Sequence, residues 1–306
     1  MQEFSLLSQV YQENDHLPGR VLIPPGDDMA MIRTSMSTTL LAVDQLIAGI
    51  HFNPDVTPLK LVGRKAVARS LSDVAAMVAR PIATLATVIL PKSFDETLAM
   101  ELFAGMRTIA AEFDAPLVGG DIVIDGSGDA RLSCTVTVLA EPWSAQLLVR
   151  TRSMAEAGDD VYVTGAIGGS YGRDGLGRHL TFEPRIEYAR LLAEALGDSL
   201  HAVIDLSDGL GRDAGHVATQ SGVRIELDAE LLAPICNGEI IPAIREGEDY
   251  ELLFTASETP PEAIGLVPIT RIGSVLKAVS DRHIGVFLIN EGHATPIHDA
   301  GWQHHT

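Results

Sequence analysis

Aspartates recur where apolar runs stop. Leu40-Leu41-Ala42-Val43 runs into Asp44, Pro116-Leu117-Val118-Gly119-Gly120 into Asp121, and Ala202-Val203-Ile204 into Asp205. Gly26-Asp27-Asp28, Leu71-Ser72-Asp73 and Ser207-Asp208-Gly209 add further carboxylates. A carboxylate at the end of a strand stands at a rigid edge facing solvent. Several of them converging on one cleft repel one another unless divalent cations intervene. Mg²⁺ is the natural occupant, because it takes hard oxygen ligands and keeps part of its water while bridging substrate phosphates. The chemistry this favours is phosphoryl transfer, which needs positioning and charge neutralisation. Taken singly, each aspartate is as readily a helix N-cap or a turn former, and Asp73, inside a helical pattern, is as readily part of a solvated face. Recurrence beside glycine is what tips the reading toward metal, since glycine lets backbone approach a phosphate or ion closely.

A second candidate is the run Val163-Thr164-Gly165-Ala166-Ile167-Gly168-Gly169-Ser170, a strand followed by a glycine-rich turn. Amides at such a turn cradle anions when a helix starts there. The spacing lacks the lysine of a Walker loop and does not match a dinucleotide fingerprint, so an ordinary glycine-rich turn is an equal alternative.

The elements that must hold these residues follow from periodicity. Strands are expected at 39–43, 83–90, 115–118 and 132–139, and helices at 61–78 and 99–113. Periodicity lapses around Glu141-Pro142-Trp143 and again over 150–158, which places a domain boundary between residues 1–142 and 143–306. Beyond it, strands are expected at 160–164, 201–204, 223–227, 250–255 and 286–289, and helices at 186–196 and 210–219. Strands and helices mix without strict alternation, so the fold class is α+β rather than a doubly wound parallel sheet.

Composition narrows the function classes. The chain has 306 residues, 46% of them apolar, and carries 22 Lys plus Arg against 41 Asp plus Glu, a formal charge of −19. That is length for two domains with their own cores, and a charge that repels nucleic acid and anionic membrane. An acidic chain still binds ATP if metal ions and a few placed cations neutralise the phosphates. The two cysteines, Cys134 and Cys236, suggest neither a metal pair nor a disulfide framework, so a reducing cytoplasm is expected. No signal-like amino terminus and no run of 18 apolar residues is read.

In order along the chain, these pieces resemble thiamine-monophosphate kinases of the aminoimidazole ribonucleotide synthetase superfamily. The pieces are Gly26-Asp27-Asp28, Asp44 through Gly49 to His51-Phe52, Lys65-Ala66-Val67-Ala68 through Leu71-Ser72-Asp73 to Ala75-Ala76-Met77, and Gly119-Gly120-Asp121. They continue with Thr151-Arg152-Ser153, Gly158-Asp159-Asp160-Val161-Tyr162-Val163-Thr164-Gly165, Ile204-Asp205-Leu206-Ser207-Asp208-Gly209-Leu210 and Gly247-Glu248-Asp249-Tyr250-Glu251-Leu252. Ile272-Gly273 and Asp299-x-Gly301-Trp302-x-His304 complete the set. The resemblance implies an amino-terminal ATP- and metal-binding domain whose strands pair with a second subunit in a dimeric β-barrel core, and a carboxy-terminal α/β domain. It implies direct transfer of the ATP γ-phosphate to thiamine monophosphate, giving thiamine diphosphate, with Mg²⁺ and without a phosphoenzyme. By resemblance, Asp28, Asp44, Asp73, Asp121, Asp205 and Asp208 are Mg²⁺ ligands, and Gly120, Asp121, Arg152 and Ser207 contact ATP. His51, Glu248 and Trp302 contact the acceptor, with Trp302 suited to a flat heteroaromatic ring.

The chain departs from that pattern at Ala42-Val43 (Ser-Thr in the family), Ser70 (Asn), Val78 (Gly), Ile122 (Thr) and Arg245-Glu246 (Ser-Gly). Two other readings therefore stand beside the kinase: a divergent relative acting on another phosphorylated metabolite, and a catalytically silent nucleotide- or thiamine-phosphate-binding protein.

Overall fold

The computed structural model describes residues 17–23, 31–35 and 38–302. The chain divides into two compact units, Met1–Val74 with Arg80–Pro142 and Arg173–Leu176, and Ala75–Ala79 with Trp143–Gly172 and Gly177–Thr306. Asp28, with the rest of Gly26-Asp27-Asp28, and His304 lie outside the described residues.

In the first unit, β1 (Val21–Ile23) and β2 (Met31–Ile32) form an antiparallel ribbon. A four-stranded sheet is built from β3 (Leu40–Ile47), β4 (Ala79–Leu90), β5 (Leu117–Ile124) and β6 (Ser133–Pro142), in the order β3-β6-β4-β5. β3 and β6 are antiparallel, whereas β4 and β5 are parallel and need a crossover. Helix α1 (Leu59–Ala76) leads from β3 toward β4, and α2 (Glu96–Glu112) makes the crossover to β5. The two helices approach through a pair of glycines. A Cβ on Gly63 would stand 1.9 Å from the Leu102 carbonyl oxygen, and one on Gly105 2.0 Å from that of Lys60.

Period-two alternation decides which sheet face is covered. Cys134, Val136, Val138 and Ala140 of β6 are buried, as are Ala86, Val88 and Leu90 of β4. Leu41 and Val43 of β3, Leu85 and Ile89 of β4 and Val123 of β5 are exposed. The sheet is open, with β3 and β5 at its edges, and no barrel closes within the chain among the described residues.

The second unit carries β7 (Asp160–Thr164), β8 (Leu200–Asp205), β9 (Val223–Asp228), β10 (Leu252–Ala256), β11 (Ala263–Ile264), β12 (Val267–Lys277), β13 (Gly285–Asn290) and β14 (His293–Pro296). They form one sheet in the order β14-β13-β9-β12-β7-β10-β8, with β11 paired to β12. β13 and β9 run parallel, and the other pairs are antiparallel. The helices are α3 (Ile186–Leu196), α4 (Leu210–Ser221), α5 (Ala229–Leu232) and α6 (Ile240–Arg245). Leu210, Ala214 and Val217 of α4 join Ile204, Ile225 and Val286 of the sheet in one buried core. β10, flanked by β7 and β8, is buried at every position, Thr255 included. The architecture is α+β.

Two expectations about strands need correction. β3 continues past Asp44 to Ile47 and β5 past Asp121 to Ile124, because alternation persists through Leu46 and Ile122, both buried. Those aspartates therefore lie inside strands, while Asp205 does end β8. β12 was absent from the periodic reading, since Pro268 and Gly273 interrupt its pattern. Gly273 sits at a register shift where a Cβ would fall 2.1 Å from the Glu226 carbonyl oxygen. Among the described residues no helix is long and apolar enough to cross a membrane.

Candidate functional site

In the second unit, the chain leaving β8 at Asp205 makes the turn Ser207-Asp208-Gly209 before α4. Gly209 has φ +111°, and a Cβ there would meet the carbonyl oxygens of Ile244, Arg245 and Glu246 at 2.9–3.0 Å. The Ser207 carbonyl accepts the Glu248 N–H at 2.8 Å, and the Asp208 carbonyl accepts the Trp302 N–H at 2.8 Å. Trp302 is exposed while its backbone is fixed to this turn. Room for that strap comes from glycine. A Cβ on Gly211 would meet the Ile297 and Ala300 carbonyl oxygens at 2.5 and 2.7 Å, and one on Gly301 the Asp208 carbonyl oxygen at 2.7 Å. One turn thus gathers Asp205, Ser207, Asp208, Glu248 and Trp302.

Asp213 and His216, which sequence reasoning missed, add to the turn. The N–H groups of Asp208 and Gly209 donate to Asp213 Oδ2 at 3.0 and 3.1 Å. Burial, then the Asp205 and Asp208 carboxylates, pushes the Asp213 carboxyl well above the usual range. Ligand atoms of Asp208, Asp213 and His216 lie within 4.8 Å of one another. His216 follows Asp213 by one helical turn, so both stand on one face of α4. Burial and then the nearby Arg152 charge hold His216 below its ordinary pKa, against the opposing Asp208 carboxylate. Arg152 itself is anchored by its carbonyl, which accepts the Ser221 hydroxyl at 3.0 Å.

The glycine-rich turn after β7 is already filled by the chain's own anions. The Gly168 N–H donates to both carboxylate oxygens of Asp249 at 3.0 Å, and the Gly169 N–H to Glu246 at 2.5 Å. No helix starts at the turn; a 3₁₀ turn follows at Arg178–Leu180. Of the two readings left open for this turn, the amides serve the chain's own carboxylates. Asp249 also accepts from Ser170 and Arg178, and Glu251 takes a two-pronged contact from Arg185 at 2.7 and 2.8 Å plus the Thr164 hydroxyl at 2.7 Å. Neither cysteine supplies a thiolate near neutral pH, because burial pushes Cys134 to about 12 and Cys236 to about 11.

In the first unit, Asp44 sits on β3 opposite Val136, with the Arg69 guanidinium 3.8 Å away. Asp121 lies on β5 opposite Thr87, exposed, with its carboxylate accepting the Ile122 N–H at 2.9 Å. β6 and β4 separate these edge strands, on the order of 14 Å of sheet at ~4.8 Å per strand, so the sheet does not place both on one ion. Asp73 is partly buried within α1. Gly120 has a packing reason to be glycine, since a Cβ there would lie 1.8 Å from the Ala86 carbonyl oxygen. His51 accepts the Ile47 N–H at Nδ1, 3.0 Å, and its carbonyl accepts the ammonium of wholly buried Lys65 at 2.6 Å. Lys65 thereby fixes the His51 backbone from within α1. A cavity of ≈ 560 Å³ beside this loop is lined by Phe52, Thr57, Phe94 and Arg131 among others, and by none of the residues expected to hold metal or nucleotide.

Residues 26–141 match the model of the AIR synthase related protein, N-terminal domain. A thiamine-monophosphate kinase of Rhodopirellula baltica is 34% identical over 299 residues, covering 90% of this chain and 89% of the relative. The chain belongs to the thiamine-monophosphate kinase family. It is accordingly a kinase. The solved thiamine-monophosphate kinase of Stenotrophomonas maltophilia superposes with a TM-score of 0.76 at 27% identity, over 95% of this chain and 97% of that one. The structure described as AaThiL complexed with AMPPCP and TMP gives 0.72 at 26% identity, over 99% and 97%.

Two of the departures from that family, Ile122 and Ser70, are accounted for by packing. Ile122 is buried opposite Val88, and the Ser70 hydroxyl donates to the Val136 carbonyl at 3.1 Å in a buried position. Val43 points its side chain to the exposed sheet face, whereas Ala42 shares the face of Asp44. Val78 is buried with φ +51°, a left-handed conformation that glycine adopts without strain.

Proposed function

We propose that this kinase transfers the γ-phosphate of ATP directly to thiamine monophosphate, producing thiamine diphosphate and ADP. The observation that carries the reading is the Ser207-Asp208-Gly209 turn. It draws a metal-ligand candidate, Asp208, to the backbone of Trp302, and a nucleotide-contact candidate, Ser207, to that of Glu248. The half-exposed Trp302 indole is assigned to a flat heteroaromatic ring, and the nearby carboxylates to metal.

The donor set fits Mg²⁺. Hard carboxylate oxygens crowd there, and Asp213 is pushed up partly by Asp205 and Asp208, a charge excess that a divalent ion offsets. When bound, the ion would supply charge neutralisation for the phosphates. Asp205 and Asp208 are proposed as Mg²⁺ ligands in the second unit; Asp28, Asp44, Asp73 and Asp121 are proposed as Mg²⁺ ligands in the first, with Asp44 and Asp121 on separate ions. Arg152 and Ser207 orient the nucleotide, with Gly120 and Asp121 contributing from residues 1–142. Glu248 and Trp302 orient the acceptor, and His51 is assigned to it as well.

The exposed apolar face of Leu41, Val43, Leu85, Ile89 and Val123 supports a homodimer that covers it in a shared barrel. A cytoplasmic setting agrees with the two free cysteines.

The test is production of ADP and thiamine diphosphate by the purified chain with ATP, Mg²⁺ and thiamine monophosphate. Product that disappears with EDTA is expected. Nucleotide binding without product would instead favour a silent binding protein, and product from another acceptor alone a divergent relative.

A further inference from the structure

Three acids of the run Gly247-Glu248-Asp249-Tyr250-Glu251 each meet a basic residue of the segment leading to α3. Arg178 reaches Asp249 at 2.8 Å, His179 Nδ1 reaches Glu248 Oε2 at 3.2 Å, and Arg185 reaches Glu251 at 2.7 Å. Phe182 stacks on Tyr250 with centroids 3.9 Å apart. Asp249 and Glu251 are buried and locked, so they stabilise the run rather than meet a ligand. The Glu248 side chain keeps 19% of its surface. The Glu248 backbone is constrained as well: it is left-handed, with φ +65°, and its N–H is tied to Ser207. Non-glycine residues held this way are strained and persist where the surroundings over-determine them.

His179 is wholly buried, and Tyr171, half exposed, stacks on its ring at 4.0 Å with 19° between planes. An imidazole so clamped presents Nδ1 to one carboxylate oxygen and limits the rotamers of Glu248. We propose that His179, steadied by Tyr171, is the positioning residue that aims the Glu248 carboxylate at the acceptor. This rests on the reading of Glu248 as an acceptor contact. The histidine itself touches no substrate. It lowers the ordering cost that Glu248 would otherwise meet on binding.

The full chain is assayed with separate KM values for thiamine monophosphate and ATP. His179→Leu is expected to raise the acceptor KM about tenfold and leave the ATP KM within twofold, a loss of ~1.4 kcal/mol of acceptor binding. His179→Asn, whose amide reproduces the donor, is expected to stay within threefold of wild type. Tyr171→Ala, at a half-exposed position that does not threaten the fold, is expected to shift the acceptor KM in the same direction by about threefold. His179→Leu combined with Glu248→Gln is expected to be no worse than Glu248→Gln alone. Multiplied effects in the double variant, or a matching rise in the ATP KM, would overturn the inference. So would wild-type acceptor KM in both His179→Leu and Tyr171→Ala while Glu248→Gln is impaired. An unchanged acceptor KM in Glu248→Gln would instead remove the underlying reading, and the inference with it.

Discussion

The Gly168 amide donates to both carboxylate oxygens of Asp249, each at 3.0 Å, so a glycine-rich turn of phosphate-binding appearance is closed by an internal anion. Burial pushes the Asp249 carboxyl from 3.8 up to about 6, against the opposing effects of Ser170, Gly168 and Arg178. The folded state therefore holds a proton between pH 4 and 6 that the unfolded chain has released. Stability from this group is present below the unfolded pKa and falls as pH rises to about 6. At ~1.4 kcal/mol per unit the loss amounts to about 2 to 3 kcal/mol. Asp249→Asn does not titrate. Urea unfolding of both proteins at pH 4.5 and pH 7 is expected to show the wild type losing ground to the variant at the higher pH. A difference that stays constant with pH would refute the assignment.

Gly120 is proposed to contact ATP, yet its lack of a side chain is dictated by β4. A Cβ at Gly120 would lie 1.8 Å from the Ala86 carbonyl oxygen, whereas one at Gly119 would meet the Leu85 side chain at 3.1 Å, an atom free to shift. Gly120→Ala is expected to cost about 3 kcal/mol or more in urea unfolding, and Gly119→Ala under about 1 kcal/mol. Loss of ATP binding in a Gly120→Ala protein of wild-type stability would show instead that the glycine serves the nucleotide directly.

Val78 poses packing against backbone strain. At a relaxed buried site such as Val136 on β6, Val→Ala removes two methyl groups, about 1.6 kcal/mol plus a cavity cost, for a total of about 2 to 3 kcal/mol. At Val78 the left-handed backbone is least tolerable for a β-branched residue, so alanine recovers part of that loss. Val78→Ala is expected to cost about 1 kcal/mol or less by urea unfolding, and Val136→Ala at least twice as much. Equal costs would mean that Val78 stores no strain.

What the sequence made legible is the part of the molecule written in local period. Asp160–Thr164 and Ile186–Leu196 coincide with their expected spans, because a short continuous apolar run and helical spacing carried them. β12 escaped because Pro268 and Gly273 break the alternation, while its pairing to β7 and β9 holds it together across distant segments. The same limit applies around the site. Asp205, Ser207 and Asp208 stand in one short motif and were visible. The partners of Glu248 and Asp249, His179 and Arg178, lie 69 and 71 positions away, and nothing local marks them. The glycine-rich turn stayed open between two readings because amides that bind phosphate and amides that bind a distant carboxylate have the same local sequence.

The apolar face of the first unit is the remaining surface that asks for cover. Leu41 is 70% and Val43 62% exposed on β3, and Leu85, Ile89 and Val123 continue the face across β4 and β5. Side chains of this kind gain ~25 cal/mol for each Å² of apolar surface removed from water, and a second copy of the same face covers them symmetrically. The wild-type chain is therefore expected to sediment at twice its monomer mass at micromolar concentration. Leu41→Lys with Val43→Lys places two charges in the covered layer and leaves the opposite face, with Leu46 and Val136, intact. That variant is expected to sediment as a folded monomer with an unchanged circular dichroism spectrum. A wild-type monomer, or a double-lysine variant that remains dimeric, would show that this face is not what joins two copies.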